Sequence, residues 1–157
     1  MDWLQILGPT LLTALGGVII WIIKSKNDEL RMTQEKLNEE RRKAYQVILN
    51  PYIRILADLE GSGPTEALNE IKSFDYSKTV FTLTLFGSDN VIRAYNALWQ
   101  YTYKGGAGEN GEERGKKYFS LLGKLLLEIR KDVGPKKSEL NELDMLRWKI
   151  SDIDKLE

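Results

Sequence analysis

The longest apolar segment of the chain lies at its start. No charged side chain occurs between Trp3 and Ile23. As a helix, these 21 residues would extend about 30 Å, which is the thickness of the hydrocarbon core of a bilayer. Trp3 and Trp21 lie near its two ends, where indole rings favour the membrane interface. The pattern predicts a transmembrane helix, and we assign residues 1–26 to this anchor.

The charges beside this segment predict its orientation. Asp2 precedes the segment, and Lys24 and Lys26 follow it, which reverses the polarity of a cleaved signal peptide. Positively charged flanks favour the cytoplasmic side of a membrane. We therefore expect a single-pass protein of the inner (cytoplasmic) membrane, in contact with lipid, whose C-terminal domain is cytoplasmic.

A stripe of small or polar residues follows one face of the predicted anchor. The members of this stripe recur every four residues: Gln5, Pro9, Thr13 and Gly17. Gly16 lies beside them. Three interpretations stay open. The stripe reflects the ordinary Gly, Pro and Thr content of membrane helices, or it packs against other helices because small residues let backbones approach, or it faces a water-filled lumen. The second and third interpretations predict a homo-oligomer.

A polar helical segment is predicted after the anchor, over residues 27–50. It is rich in good helix formers of both charges. Leu30, Leu37 and Ala44 recur every seven residues, whereas the intervening seam positions are polar, as at Arg41. Because only every second seam position is apolar, the pattern predicts a polar stalk helix with only a weak signal for coiled-coil association.

Residues 51–157 carry the amphipathic patterns of a cytoplasmic helical bundle. Pro51 is expected to kink the preceding helix or to begin a new one. A GSGP turn at 61–64 precedes a short helix over residues 65–74. The segment TVFTLTLF at 79–86 is compatible with a strand or a helix. Because no second strand is available to pair with it, we assign it to a helix.

Three longer helices are predicted in the C-terminal half. The first extends from about Asp89 to Tyr103 after the N-cap Ser88, and the second covers residues 118–133. The third follows a cap at Ser138 and carries apolar residues as far as Ile153. The chain is therefore predicted to be all-α, with one anchor, one stalk helix and a bundle of about four or five helices. Their apolar stripes predict a shared core that includes Leu122, Leu125, Ile129, Leu146 and Ile150.

Composition narrows the chemistry that this domain can perform. The chain has no Cys and no His, which excludes disulfides, a Ser-His-Asp triad and a His-bearing zinc site. Its 23 basic and 23 acidic residues balance, which argues against nucleic acid as a partner. Asp144 and Asp152 would lie about 12 Å apart along a helix, too far to share one ion. We expect no metal and no cofactor.

The segment Gly106–Gly111 matches the glycine pattern of dinucleotide-binding loops. A helix rather than a strand is predicted before it, and Glu109, Glu112 and Glu113 would repel a pyrophosphate. We therefore predict that residues 104–113 form a flexible loop without a nucleotide-binding role.

Three segments carry a resemblance to known proteins: FGSDNVIRAYNALWQY (86–101), LLGKLLLEIRKDVG (121–134) and LNELDMLRWKISDID (140–154). Together they resemble a recurring group of small bacterial proteins with one N-terminal membrane helix, mostly of unknown function. More loosely, the layout is similar to the membrane accessory proteins of type VI CRISPR systems, which target RNA. Those proteins combine one anchor with a helical domain resembling the HEPN nucleases, and they assemble into ring-like pores.

The looser resemblance implies a HEPN-like fold that has lost its nuclease activity. The HEPN motif is an Arg, four to six residues and then a His. Arg130 matches the Arg, but Pro135 stands where the His would follow, and the chain has no His. RNA cleavage would depend on Arg130 and Asp132 alone, without an efficient proton shuttle at neutral pH. We expect a HEPN-like domain without enzymatic activity.

Three functional hypotheses follow. The leading one is a non-enzymatic, self-associating membrane protein that acts in antiphage defence by perturbing or permeabilising the membrane. The second is a membrane-tethered module that binds a cytoplasmic protein partner. The third is a degenerate HEPN-type ribonuclease, which the missing His argues against.

Overall fold

The computed structural model describes residues 3–58, 61–105, 110–135 and 137–150, and it describes side chains from residue 18 onward. This part of the chain contains no strand and confirms the all-α prediction. Its five helices are α1 (Trp3–Ala57), α2 (Gly63–Ile71), α3 (Phe74–Phe86), α4 (Asp89–Lys104) and α5 (Gly111–Val133). The chain divides into two compact units, Met1–Glu39 and Glu40–Glu157, with a boundary inside the predicted stalk segment.

The N-terminal unit exposes apolar surface at the start of its described side chains. All six side chains of Val18–Ile23 are between 43% and 69% exposed. Further along, Arg31 and Glu35 form an exposed ion pair one helical turn apart, as is typical of a solvated helix. Among the described residues, no helix combines the length and the apolarity that crossing a bilayer requires.

The predicted anchor stays a prediction. The side chains of residues 3–17 lie outside the part of the chain that the structure describes. That range includes the whole predicted stripe: Gln5, Pro9, Thr13, Gly16 and Gly17.

The C-terminal unit is organised around one hydrophobic core. Helices α4 and α5 pack directly against each other. Helix α1 contributes apolar side chains that recur every three or four residues on one face: Tyr45, Ile48, Tyr52 and Leu56. Of the predicted core residues, four are buried and Ile150 is partly buried against them; the buried four are Leu122, Leu125, Ile129 and Leu146.

The segment 79–86, which resembled both strand and helix, is helical within α3. The Ser73 hydroxyl begins this helix by accepting a hydrogen bond from the Tyr76 amide at 3.1 Å, which is the usual N-cap contact. Tyr76 and Leu83 bury in the core. Tertiary burial therefore outweighs the preference of Thr and Val for strands, and the helix prediction is confirmed.

Two boundaries before α3 differ from the predictions. Helix α2 begins at Gly63, inside the predicted GSGP turn, with Pro64 in its first turn, where a missing amide donor is tolerated. The expectation that a new helix begins at Pro51 is wrong, because α1 continues to Ala57. The Pro51 side chain is fully buried. Its packing offsets the loss of a backbone hydrogen bond, which costs about 3 kcal/mol in a helix interior.

Helix α5 begins earlier than predicted, at Gly111, so residues 111–113 are helical rather than part of a loop. The Asn110 side-chain oxygen accepts a hydrogen bond from the Glu113 amide at 2.8 Å. The Glu113 carboxylate accepts one from the Asn110 amide at 3.3 Å. This reciprocal capping box is signalled by the Asn-x-x-Glu spacing. Residues 106–109 of the predicted loop lie outside the described residues.

The prediction of a last helix capped by Ser138 is wrong over residues 138–150, where turns at 142–149 take the place of a regular helix. Asn141, not Ser138, makes the reciprocal cap, through hydrogen bonds with Asp144 at 2.8 and 2.9 Å. The segment lies directly on α5: a Cβ at Gly123 would be 2.0 Å from the Glu142 carbonyl oxygen. The backbones at Gly123 and Glu142 therefore lie in close contact. Residues 151–157 lie outside the described part of the chain.

Candidate functional site

A partly buried polar contact in the C-terminal unit involves Asp132, in the last turn of α5. The Tyr45 hydroxyl donates a hydrogen bond to one carboxylate oxygen at 2.6 Å. Arg41 Nη1 lies 3.5 Å from the other. The Asp132 side chain is only 13% exposed and that of Arg41 only 23%. Removal from water strengthens these contacts relative to an exposed ion pair.

This cluster, which we call the Asp132 cluster (Arg41, Tyr45, Phe86, Ser88 and Asp132), joins four helices. Arg41 Nε also donates to the Phe86 carbonyl at the end of α3. The Tyr45 hydroxyl accepts a hydrogen bond from the Ser88 amide at 3.4 Å. Arg41 is a cation at the C-terminal end of α3, where it interacts favourably with the helix dipole. The cluster therefore pairs polar groups at the end of α3 and the start of α4 with side chains of α1 and α5.

The electrostatics of the cluster oppose proton transfer at neutral pH. Burial and the hydrogen bond to Asp132 raise the pKa of Tyr45 to about 12, although the contact with Ser88 acts in the opposite direction. The Tyr45 hydroxyl therefore stays protonated and acts as a donor across the physiological range. A general base that functions near pH 7 needs a pKa close to that value. The arrangement is suited to holding the four helices together.

The structure separates the three residues that the HEPN resemblance singled out. Arg130 is exposed on the surface of α5. Asp132 lies two residues further on, which corresponds to about 200° of rotation around the helix. Pro135 is exposed beyond the helix end. Because Arg130 and Asp132 point to different faces, they do not form one site.

Four further tyrosines, Tyr52, Tyr76, Tyr95 and Tyr118, bring hydroxyl groups into the core region. Tyr95 donates to the Tyr76 hydroxyl at 3.4 Å. Burial raises the pKa of Tyr118 to about 12, and it raises the pKa values of the other three as well. These neutral groups have no cationic or basic partner among the described side chains that would activate them. We interpret them as core residues.

A cleft of about 330 Å³ lies beside Tyr101, Tyr118 and Phe119, at the small end of the range for ligand pockets. Of its described lining residues, Arg114 is the charged one. No group of acidic side chains in the described part of the chain is arranged to hold a metal ion. The cleft therefore offers no acid–base pair and no metal site on the residues described.

Comparison with known proteins does not change this picture. No protein-family model, curated protein or solved structure matches the chain. The HEPN-like relationship therefore stays a prediction, as does the relationship to small anchored bacterial proteins.

Two features of the structure were missed in the sequence. The sequence analysis noted Arg41 only as a polar seam position of the stalk. No local pattern connects Arg41 or Tyr45 with Asp132, which is 87 or more residues away. The second feature is the outer face of α3, where Phe74 and Phe81 are exposed. Its signal was present, because the segment 79–86 carries no charge on any face of the helix.

Proposed function

We propose that the protein is a non-enzymatic, self-associating membrane protein. In this proposal the segment Trp3–Ile23 crosses the membrane and holds the C-terminal unit at the cytoplasmic face. The observation that carries the proposal is the exposure of all six apolar side chains of Val18–Ile23. The uncharged segment continues without interruption toward Trp3.

The geometry of a helix makes this exposure informative. Successive residues are rotated by about 100°, so six consecutive apolar side chains cover every face of the helix. A protein groove would bury one face only. Leaving such side chains in water forgoes roughly 1.5–3 kcal/mol each, a large total beside the 5–15 kcal/mol stability of a typical domain. Lipid surrounds a helix on all sides and removes this cost.

The non-enzymatic part of the proposal is supported by the Asp132 cluster. Asp132, the carboxylate that the motif-like reading joins to Arg130, contacts Arg41 and Tyr45. Arg130 is exposed on a different face of α5, so the two residues that this reading requires do not meet. We therefore expect the purified protein not to cleave RNA.

Membrane insertion is tested by placing a charge within the segment. We expect Leu12→Lys to lose most of its membrane association, because Leu12 lies near the middle of the segment and a Lys there costs about 2.5–3.5 kcal/mol. Met32→Lys is the control, since Met32 is apolar and exposed but lies beyond the segment. Membrane sedimentation after alkaline extraction measures both. Recovery of the wild-type protein in the soluble fraction would contradict the anchor.

Orientation is tested with reporters fused after Glu157. The lysines at 24 and 26 predict a cytoplasmic C-terminus. A fluorescent-protein fusion should therefore be bright and an alkaline-phosphatase fusion inactive. Phosphatase activity would show that the C-terminal unit faces the periplasm.

Self-association is tested by mass photometry of the full-length protein in mild detergent, where we expect particles larger than one chain. Thr13→Leu separates two arrangements. If the stripe Gln5–Gly17 packs between helices, the larger side chain should dissociate the oligomer. If the stripe lines a lumen, the oligomer should persist while dye release from vesicles falls. Monomeric wild-type protein would contradict both arrangements and with them the proposed membrane perturbation in phage defence.

A further inference from the structure

The outer face of α3 is an apolar stripe with the spacing of a helix-packing surface. Phe74, Phe81 and Leu85 are 81%, 73% and 68% exposed. They follow one another at intervals of seven and four residues, and the exposed Lys78 completes a 4-3-4 repeat. This repeat places all four side chains on one face, as in helices that pack against a second helix.

The hydroxyl groups of α3 do not make this face hydrophilic. Ser77, Thr79, Thr82 and Thr84 each donate a hydrogen bond to the carbonyl four residues earlier, at 2.9 to 3.2 Å. Their polar groups are thus satisfied by the helix itself. From Thr79 to Phe86 the helix carries no charge. Covering this part of the stripe would leave no polar side chain without a partner.

The charge pattern favours a second helix over a lipid surface as the partner. Helices that lie on membranes carry several Lys or Arg residues along the border of the apolar face. Helix α3 has one cation, Lys78, and one anion, Asp75. A single Lys within a 4-3-4 repeat is tolerated between paired helices, where it restricts register and number of chains.

We propose that this stripe binds the same stripe of a second copy of the chain. From the exposed fractions of Phe74, Phe81 and Leu85, each copy would cover roughly 400 Å² of apolar surface. The total of about 800 Å² is below the area of a stable specific interface, so the proposed contact is a weak one. The contact rests on the proposed anchoring, because confinement to a membrane raises the local concentration enough for a weak interface to form.

Cysteine cross-linking tests this contact on the full-length protein in liposomes. The chain has no Cys, so an introduced thiol has no background. Phe81 lies near the middle of the stripe and approaches its counterpart whether the helices run parallel or antiparallel. We expect Phe81→Cys to give at least about tenfold more disulfide-linked dimer under mild oxidation than Tyr103→Cys. Tyr103, on α4, is an equally exposed aromatic control outside the stripe.

A second variant tests the contact without a disulfide. Phe81→Lys should decrease the particle mass measured by mass photometry, whereas Tyr103→Lys should not. Equal cross-linking of the two Cys variants, together with an unchanged mass for Phe81→Lys, would overturn the α3 contact. If the wild type is oligomeric in that case, self-association through the anchor still stands. A monomeric wild type would instead contradict the proposed function itself.

Discussion

Helices α3 and α5 contribute to the same core but present opposite chemistry to their surroundings. Tyr76 and Leu83 of α3 pack with Leu122 and Leu125 of α5. Outside, α5 exposes charged residues such as Arg130, whereas α3 exposes Phe and Leu. The charged face is stable in water, and the apolar face gains free energy when it is covered. The buried faces therefore show that both helices belong to the core, while only the outer face of a helix indicates whether it interacts with a partner.

The largest expected effect on this comparison comes from truncating one leucine side chain on each helix. Leu125→Ala should destabilise the C-terminal unit by about 2–5 kcal/mol, because Leu125 is fully buried and its loss leaves a cavity. Leu85→Ala on α3 removes the same atoms from an exposed site, so its effect should stay within about 0.5 kcal/mol. Chemical denaturation of the detergent-solubilised protein measures both. A loss below about 0.5 kcal/mol for Leu125→Ala would mean that the α5 stripe faces outward.

The next effect concerns the Asp132 cluster. Tyr45→Phe removes the donor to the Asp132 carboxylate at 2.6 Å. Loss of a hydrogen bond to a charged group costs about 1.5–3 kcal/mol. Tyr103→Phe is the control, because Tyr103 is exposed. Equal stability of the two variants would show that Arg41 alone is sufficient to hold Asp132.

Substitutions at two glycines of α5 test the contact between this helix and the C-terminal turns. Gly123→Ala would place a methyl group 2.0 Å from the Glu142 carbonyl oxygen, so backbone must move at a cost of about 1–3 kcal/mol. Gly115→Ala meets open space on the same helix and should stabilise it by about 0.5–1 kcal/mol. Opposite signs are expected in thermal unfolding. Stabilisation by both substitutions would place residues 138–150 away from α5.

The smallest effect is expected at the motif-like arginine. Arg130 is exposed on α5, so Arg130→Ala should change stability by less than about 0.5 kcal/mol. It should also leave RNA intact, as we expect of the wild type. RNA cleavage by the wild type that disappears in Arg130→Ala would restore the ribonuclease hypothesis.

Much of the helical content could be predicted because it depends on local rules. The apolar periodicity around Leu122 and Leu125 located most of α5, and Gly134–Pro135 located its end. The start of α5 was missed although the Asn110–Glu113 capping box is a local signal. The glycines around this capping box favour a loop, and they outweigh its signal in the sequence.

The candidate site was less accessible to such reasoning. The sequence singled out Arg130 through a motif, whereas the structure places Arg130 in solvent and links Asp132 to Arg41 and Tyr45. Those partners lie 91 and 87 residues away. Periodicity within one helix carries no information about which distant helix will approach it.

The sequence by itself therefore determined the all-α class, the buried face of α5 and the absence of histidine and cysteine chemistry. Each of these follows from side-chain spacing along one helix or from composition. Tertiary structure alone decided that residues 142–149 form turns, with Glu142 against Gly123, and that the Phe74–Leu85 face of α3 is exposed. These outcomes depend on packing between segments distant in the chain, which outweighs local preference wherever that preference is weak.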